Sequence, residues 1–429
     1  STYTWIAANN ANTTGESLTT QSTATLSNVI TNTTTSVQTV IYTVTPTSTA
    51  ASCAGISQTV SVTVNPTPVM TSANTATICS GNTVSIPLTS NVPSTFTWIA
   101  ADNLNTTGES TTTQTSGTLS DAITNNTASA QSVIYTVTPT SSGGLCAGSA
   151  QTVTVTVNPT PAMTSASSAT VCSGGTVSIP LTSNVASTFT WIATNNPNTT
   201  GESVTTQTTS TISNTLTSST GNSEVVIYTV TPTSTGGACP GTAQTVSVTV
   251  SPTPVVTVTP TSQSLCSGST TSIALSSQVG GTTFSWTVTQ SGVTGASASS
   301  GDTIAQTLTA TGSSAGTAVY TITPSVGTCV GSPATATVTI NPAPSLTVTP
   351  SSQNICSGNA TAITFTSNVV GTTFAWTVSQ TGVSGAANGS GSGITQTLTA
   401  TGTSPGTAAY TVTPTAGACA GADVVVTVT

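Results

Sequence analysis

Thr152-Val-Thr-Val-Thr-Val157, followed at once by Asn158-Pro-Thr-Pro161, is the stretch that decides the fold. Its strict alternation sends valine to one face and threonine to the other, the period-two pattern of a half-buried strand. Threonine suits the wet face, since its β-branch favours extended backbone and its hydroxyl is readily hydrated. The two prolines then fix φ and favour an extended path that cannot continue the ladder. The same phrase recurs as Val64-Asn-Pro-Thr-Pro68, Val250-Ser-Pro-Thr-Pro254 and Ile340-Asn-Pro-Ala-Pro344. A strand that ends repeatedly in a short proline linker predicts a string of small domains.

Other anchors keep the same period. Trp5, Trp98, Trp191, Trp286 and Trp376 recur every 90 to 95 residues. A Tyr-Thr-(Val/Ile)-Thr-Pro segment begins at Tyr42, Tyr135, Tyr228, Tyr320 and Tyr410, and Cys-Ser-Gly begins at Cys79, Cys172, Cys266 and Cys356. A period of this length is too long for a solenoid unit and right for independent domains. The linkers divide the chain into a partial repeat, 1–65, and repeats at 66–158, 159–251, 252–341 and 342–429. Proline linkers this short act as semi-rigid spacers, so neighbours sit end to end as a rod.

Inside a repeat everything reads as β. The second repeat predicts seven strands, at about 69–73, 83–90, 95–101, 110–115, 117–124, 131–139 and 150–158, separated by turn signals such as Ser80-Gly81-Asn82. No stretch has helical periodicity. Seven short strands, with Trp98 on the third and Tyr135 on the sixth, predict an all-β, immunoglobulin-like sandwich. The expected cores centre on Trp98, Tyr135, Trp191, Tyr228, Trp286, Tyr320, Trp376 and Tyr410. These aromatics are read as packing residues rather than a ligand platform.

The repeats resemble the tandem PKD-like and Ig-like domains in giant surface proteins of Bacteroidota, including the gliding-motility adhesin of flavobacteria. The resemblance is carried by Ile78-Cys-Ser-Gly-Asn-Thr-Val-Ser-Ile86, Phe96-Thr-Trp98, Tyr135-Thr-Val-Thr-Pro139, Cys146-Ala-Gly148 and Val153-Thr-Val-Thr-Val-Asn-Pro159. It covers the whole chain, repeat after repeat. One signature departs: Trp98-Ile-Ala-Ala-Asp102 stands where PKD domains carry Trp-Asp-Phe-Gly-Asp-Gly. The resemblance implies export by the type IX secretion system and display on the cell surface. Asp302-Thr303-Ile304 also resembles the Asp-(Ser/Thr)-aliphatic O-glycosylation motif of that group, which makes Thr303 a candidate acceptor.

Composition excludes most chemistry. The 429 residues hold no Lys, Arg or His and eight Asp plus Glu, for a net charge of −8. No basic patch exists to meet nucleic acid or anionic lipid. No nitrogen base can activate a serine, and no paired carboxylates are placed for glycoside cleavage. No apolar run is long enough to span a membrane. An enzyme, a cofactor and a membrane-inserted segment are therefore not expected. Glu16, Glu109 and Glu202 recur in an Asn-Thr-Thr-Gly-Glu-Ser segment and read as solvated turn residues, because calcium wants six to eight oxygens. No metal ligand is assigned.

Cysteine is what remains. Cys53, Cys79, Cys146, Cys172, Cys239, Cys266, Cys329, Cys356 and Cys419 recur at two positions of the repeat and read as disulfide formers in an exported chain. Intra-repeat pairing would join Cys79–Cys146, Cys172–Cys239, Cys266–Cys329 and Cys356–Cys419. Against it, Cys79 precedes the second strand at one end of the sandwich and Cys146 lies in the last hairpin loop at the other. A strand of eight residues spans roughly 27 Å, whereas bridged Cα atoms lie within about 7 Å. Inter-repeat pairing, Cys79–Cys239, Cys172–Cys329 and Cys266–Cys419, is slightly preferred, with Cys53, Cys146 and Cys356 awaiting partners elsewhere. Both arrangements stay open from sequence.

Ser1 corresponds to Ser94 of the next repeat, so the first repeat lacks two opening strands. Either the chain is a stretch of a longer polypeptide or those strands come from another chain by strand complementation. The expected function is the passive stalk of an extracellular, cell-surface adhesin or filament. Its partners would be neighbouring repeats and, at a distal region, an unknown surface or glycan ligand. The alternative is that the repeats themselves bind glycan, ice or another filament.

Overall fold

The computed structural model describes residues 1–429, all of them in strands, turns, bends or irregular segments, with no helix. The third repeat shows the plan. One sheet runs in the order Ser168–Cys172, Gln244–Ser251, Glu224–Ser234, Ser187–Ala193; its first pair is parallel and the others antiparallel. The facing sheet is formed by Gly175–Pro180, Thr211–Ser218 and Thr199–Thr200. Two sheets of this kind, with the tryptophan strand at an edge, make an Ig-like sandwich.

Alternation fills the core. Val246, Val248 and Val250 are buried while Thr245 stays exposed. They meet Ile212 and Leu216 from the opposite sheet around Trp191 and Tyr228. The indole and phenol rings pack edge-on, with centroids 5.7 Å apart, and the same pair stands 5.8 Å apart as Trp98 and Tyr135. Each buried valine contributes about 1.5–3 kcal/mol relative to leaving it in water. A buried phenol also needs a partner. Tyr228 donates to Asn214 Oδ1 and Tyr135 to Asp121 Oδ2, each at 2.8 Å. In the last two repeats the acceptors are Gln306 and Gln396.

The strand reading of the second repeat needs several changes, and the expected strand at 83–90 shortens to Ile86–Pro87 with single bridges at Thr83 and Ser90. The expected strand at 69–73 is one bridge, Met70 to Ser90, because the chain crosses between sheets there. It then forms a strand the sequence reading did not foresee, Thr75–Cys79, parallel to Gln151–Asn158 with Cys79 opposite Asn158. The expected strand at 110–115 reduces to a bridge from Gln114 to Trp98, since Ser110-Thr-Thr-Thr113 has no apolar side chain to bury. The expected strand at 117–124 is broken into Thr118–Leu119 and Thr124–Asn125.

The last two repeats extend the tryptophan strand to Thr283–Ser291 and Thr373–Thr381. Each then turns through a glycine with positive φ, Gly292 or Gly382, a conformation that costs other residues about 1–2 kcal/mol.

The first repeat holds one three-stranded sheet, Thr2–Ala7, Gln38–Thr47 and Gln58–Val64, with the last strand at its edge. Of its apolar side chains only Trp5, Ala7, Val40 and Tyr42 are buried, together with the polar Thr13.

Candidate functional site at the repeat junctions

Each junction is built from a proline linker, the end of one repeat and a hairpin loop of the next. Both prolines of every linker are buried and the residue between them is exposed: Pro66 and Pro68, Pro159 and Pro161, Pro252 and Pro254, Pro342 and Pro344. The linkers are thus docked segments rather than free spacers. What they dock on is a glycine two residues after the loop cysteine. A Cβ added to Gly148 would lie 2.2 Å from the Pro68 carbonyl oxygen, and one on Gly241 2.0 Å from that of Pro161. The equivalent distance is 1.8 Å at both Gly331–Pro254 and Gly421–Pro344. No side chain fits at such an approach, so the Cys-x-Gly spacing is a packing requirement of the junction.

The loop also leans on the end of the preceding repeat. A Cβ on Gly237 would meet the Asn158 side chain at 2.3 Å, and one on Gly144 would meet that of Asn65 at 2.1 Å. Ser52, Leu145 and Ala238, each immediately before a loop cysteine, adopt φ of 46°, 53° and 53°. A non-glycine residue in this region costs roughly 1–2 kcal/mol.

Strand Thr75–Cys79 runs parallel to the repeat's last strand, so Cys79 ends up beside Asn158 at the edge facing the next repeat. There it meets Cys239, Cα to Cα 5.6 Å, in a disulfide. Cys172 and Cys329 are bonded likewise at 5.5 Å, as are Cys266 and Cys419. Cys239 is fully buried, and its amide donates to Ser234 Oγ at 3.1 Å. The structure does not bring Cys79 to Cys146, nor Cys172 to Cys239, Cys266 to Cys329 or Cys356 to Cys419. Cys53, Cys146 and Cys356 carry free thiols.

The remaining candidates fall outside the junctions. Trp98, Trp191, Trp286 and Trp376 are all buried, and so are Tyr135, Tyr228, Tyr320 and Tyr410, which turns these rings away from any ligand. Burial pushes the Tyr228 phenol up to about 12, with a smaller contribution from the Glu202 charge. Burial raises Tyr135 further, and the hydrogen bond to Asp121 adds to it.

The glutamates are not simply solvated turn residues. Glu109 Oε1 accepts from the Asn103 amide at 3.2 Å and from Thr106 Oγ1 at 2.8 Å, closing its own loop. Glu16 and Glu202 do the same with Asn10 and Thr13, and with Asn196 and Thr199. The Glu16 carboxyl is held below the usual carboxylate range, first by its own backbone amide and then by Thr13 and the Asn10 amide. Thr303 lies exposed on the short strand Thr303–Ile304.

Five stretches match a family model described as a PKD-like domain: residues 1–68, 76–161, 169–254, 257–344 and 353–429. No curated protein matches the chain. Among solved structures, a three-Ig-domain fragment of titin aligns at 11% identity and a TM-score of 0.33, covering 64% of this chain and 98% of its own. The immunoglobulin domains 1–5 of Sidekick-1 align at 13% identity and a TM-score of 0.27, covering 100% and 92%. Extracellular cadherin domains 3–6 of Protocadherin Gamma B2 align at 13% identity and a TM-score of 0.25, covering 84% and 99%.

Proposed function

This chain belongs to the family of PKD-like domains along nearly its whole length, in five tandem copies, and from that premise we propose that it is the stalk of an extracellular surface adhesin or filament. Its repeats carry tension and spacing, while a distal region makes the adhesive contact with a surface or glycan. The observation that carries this reading is that disulfides join each of three consecutive repeats to its successor. A bond between repeats resists bending and pulling at the joint, where an intra-repeat bond would only stabilise a module. Disulfides persist in oxidising compartments, which fits a secreted or surface location.

The finer reading is a cell-surface adhesin of Bacteroidota, exported by type IX secretion and serving adhesion or gliding motility, with Thr303 as a glycan acceptor. The source cell's surface, imaged with antibody to these repeats, is expected to show thin beaded fibres that lose straightness when reduced. Labelling confined to the cell interior, or fibres whose bending is indifferent to reductant, would overturn the stalk. An intact mass without sugar at Thr303 removes the modification alone.

A further inference from the structure

The three bridges do not act alike on the length of the chain. Cys79–Cys239 spans 160 residues, Cys172–Cys329 spans 157 and Cys266–Cys419 spans 153, so each closed loop overlaps the next. The first and third of these bridges are joined by a short piece of backbone. Only 27 residues lead from Cys239 to Cys266, and they cross the third and fourth repeats from end to end. The segment runs along the third repeat as Gln244–Ser251, passes through the linker Pro252-Thr-Pro254, and runs along the fourth as Thr257–Thr259 and Ser262–Cys266. It is held throughout. Gln244–Ser251 lies between Ser168–Cys172 and Glu224–Ser234, the Pro254 carbonyl is packed under Gly331, and Ser262–Cys266 pairs with Ala334–Asn341.

This segment is already close to its greatest length. A strand rises about 3.3 Å per residue against a ceiling of about 3.6 Å. Fully stretched, the 27 residues reach about 97 Å. The two repeats they cross measure roughly 80 Å, taking roughly 40 Å for a sandwich whose strand Glu224–Ser234 has 11 residues. Unfolding either repeat therefore lengthens the bridged chain by at most about 2 nm, against about 30 nm for an unbridged repeat of about 90 residues. Tension favours a longer state only in proportion to the length gained. Pulling on the bridged chain thus does little to favour the unfolded repeat.

We propose that the bridged array is a tether of fixed length, in which tension runs through Cys79–Cys239, residues 239–266 and Cys266–Cys419, while residues 80–238 and 267–418 are spared it. Cys172–Cys329 ties one spared loop to the other and lies off this path, so it braces its joint without setting the length. Bridges that look equivalent in the repeat thus divide into two alternating sets, each carrying load across two repeats at a time. The proposal rests on the stalk reading for its purpose and goes beyond it in naming which residues bear the load.

The test stretches single molecules of the full 429-residue protein by their two ends, with the free thiols of Cys53, Cys146 and Cys356 alkylated beforehand. During the pull, the oxidised protein should give one lengthening step of about 20 nm, from residues 1–65, which no bridge of this chain encloses, and no step of about 30 nm. At forces where every repeat is unfolded, covalent connectivity alone sets the contour, so a variant reads correctly even where one of its repeats no longer folds. The oxidised contour should be about 40 nm and the reduced one about 150 nm, close to a fourfold change. Cys79→Ser/Cys239→Ser reroutes the path through Cys172–Cys329 and should read about 100 nm. Cys172→Ser/Cys329→Ser should stay at about 40 nm, although it removes an equivalent joint bridge. Steps of about 30 nm in the oxidised protein, or a contour that grows alike on losing either bridge, would overturn the proposal. Such a result leaves the stalk reading standing, since that reading fails on surface imaging and not on length.

Discussion

Replacing Cys79 and Cys239 together by serine should lower the stability of the third repeat by about 3–4.5 kcal/mol. If that repeat alone unfolds, Cys239 remains tied to Cys79, and Cys79 stays folded beside Asn158. The unfolded segment is then a closed loop of the 81 residues that follow Asn158 up to Cys239. The chain-entropy expression for a loop of that size gives about 4.5 kcal/mol at 25 °C, and measured values usually fall somewhat below it. For a domain of roughly 90 residues each 1 kcal/mol moves Tm by about 4–8 °C, so the transition should fall by roughly 12 °C or more. Scanning calorimetry of the full chain resolves this as one transition moving down, with the last repeat's unchanged, since repeats couple only to neighbours. A serine at the fully buried position 239 adds a desolvation cost of its own, so wild-type protein under reductant, in which the other two disulfides open as well, provides a second comparison free of that cost. Cys146→Ser serves as a control that should move no transition. A shift below about 2 °C in both the variant and the reduced protein would refute the reasoning.

Four further outcomes follow from the same geometry. Gly241→Val drives a side chain into the Pro161 carbonyl and should cost about 1–3 kcal/mol while loosening the joint, read as a lower Tm and a broader solution-scattering profile. Leu145→Gly relieves a positive φ at a side chain 81% exposed, so it should raise Tm slightly, by a gain of up to about 1 kcal/mol. Tyr135→Phe removes one charge-assisted hydrogen bond from the buried Asp121 carboxylate, which still accepts from the Ser110 amide and hydroxyl, and should cost about 1.5–3 kcal/mol, against about 1 kcal/mol for Tyr228→Phe, whose partner is a neutral amide; urea titration distinguishes them. Tyr228 titrates near 10 when unfolded and at about 12 when folded, so its contribution is intact below pH 10 and is lost as pH rises toward 12. A stability–pH profile should decline in that window, and less steeply in Tyr228→Phe, the other buried tyrosines supplying the remainder.

Local patterns made the sandwich legible. The Thr-Val alternation at 152–157 marks the last strand, and the spacing of Trp98 and Tyr135 marks the repeat. Proline pairs show where one module stops. What the sequence hid is contact between elements that no local period encodes. Thr75–Cys79 is a short run whose parallel pairing is set by a strand 79 residues further on, so its role at the edge is invisible from its own residues. Gly148, Gly241, Gly331 and Gly421 read as loop glycines, yet each is required by a carbonyl of the linker docked upon it. Recurring Cys-x-Gly in every repeat was the signal that could have found them. The glutamate loops likewise look wet in sequence, because a carboxylate folding back on amides one turn earlier leaves no periodic trace.

Non-reducing peptide mapping of the full chain tests the central claim most directly. Trypsin has no site here, so chymotrypsin or an acid protease is needed. The account predicts linked peptides carrying Cys79 with Cys239, Cys172 with Cys329 and Cys266 with Cys419, and no others in comparable yield. A peptide linking Cys79 to Cys146 would contradict it, because the modules would then be braced singly and nothing covalent beyond the backbone would hold one to the next.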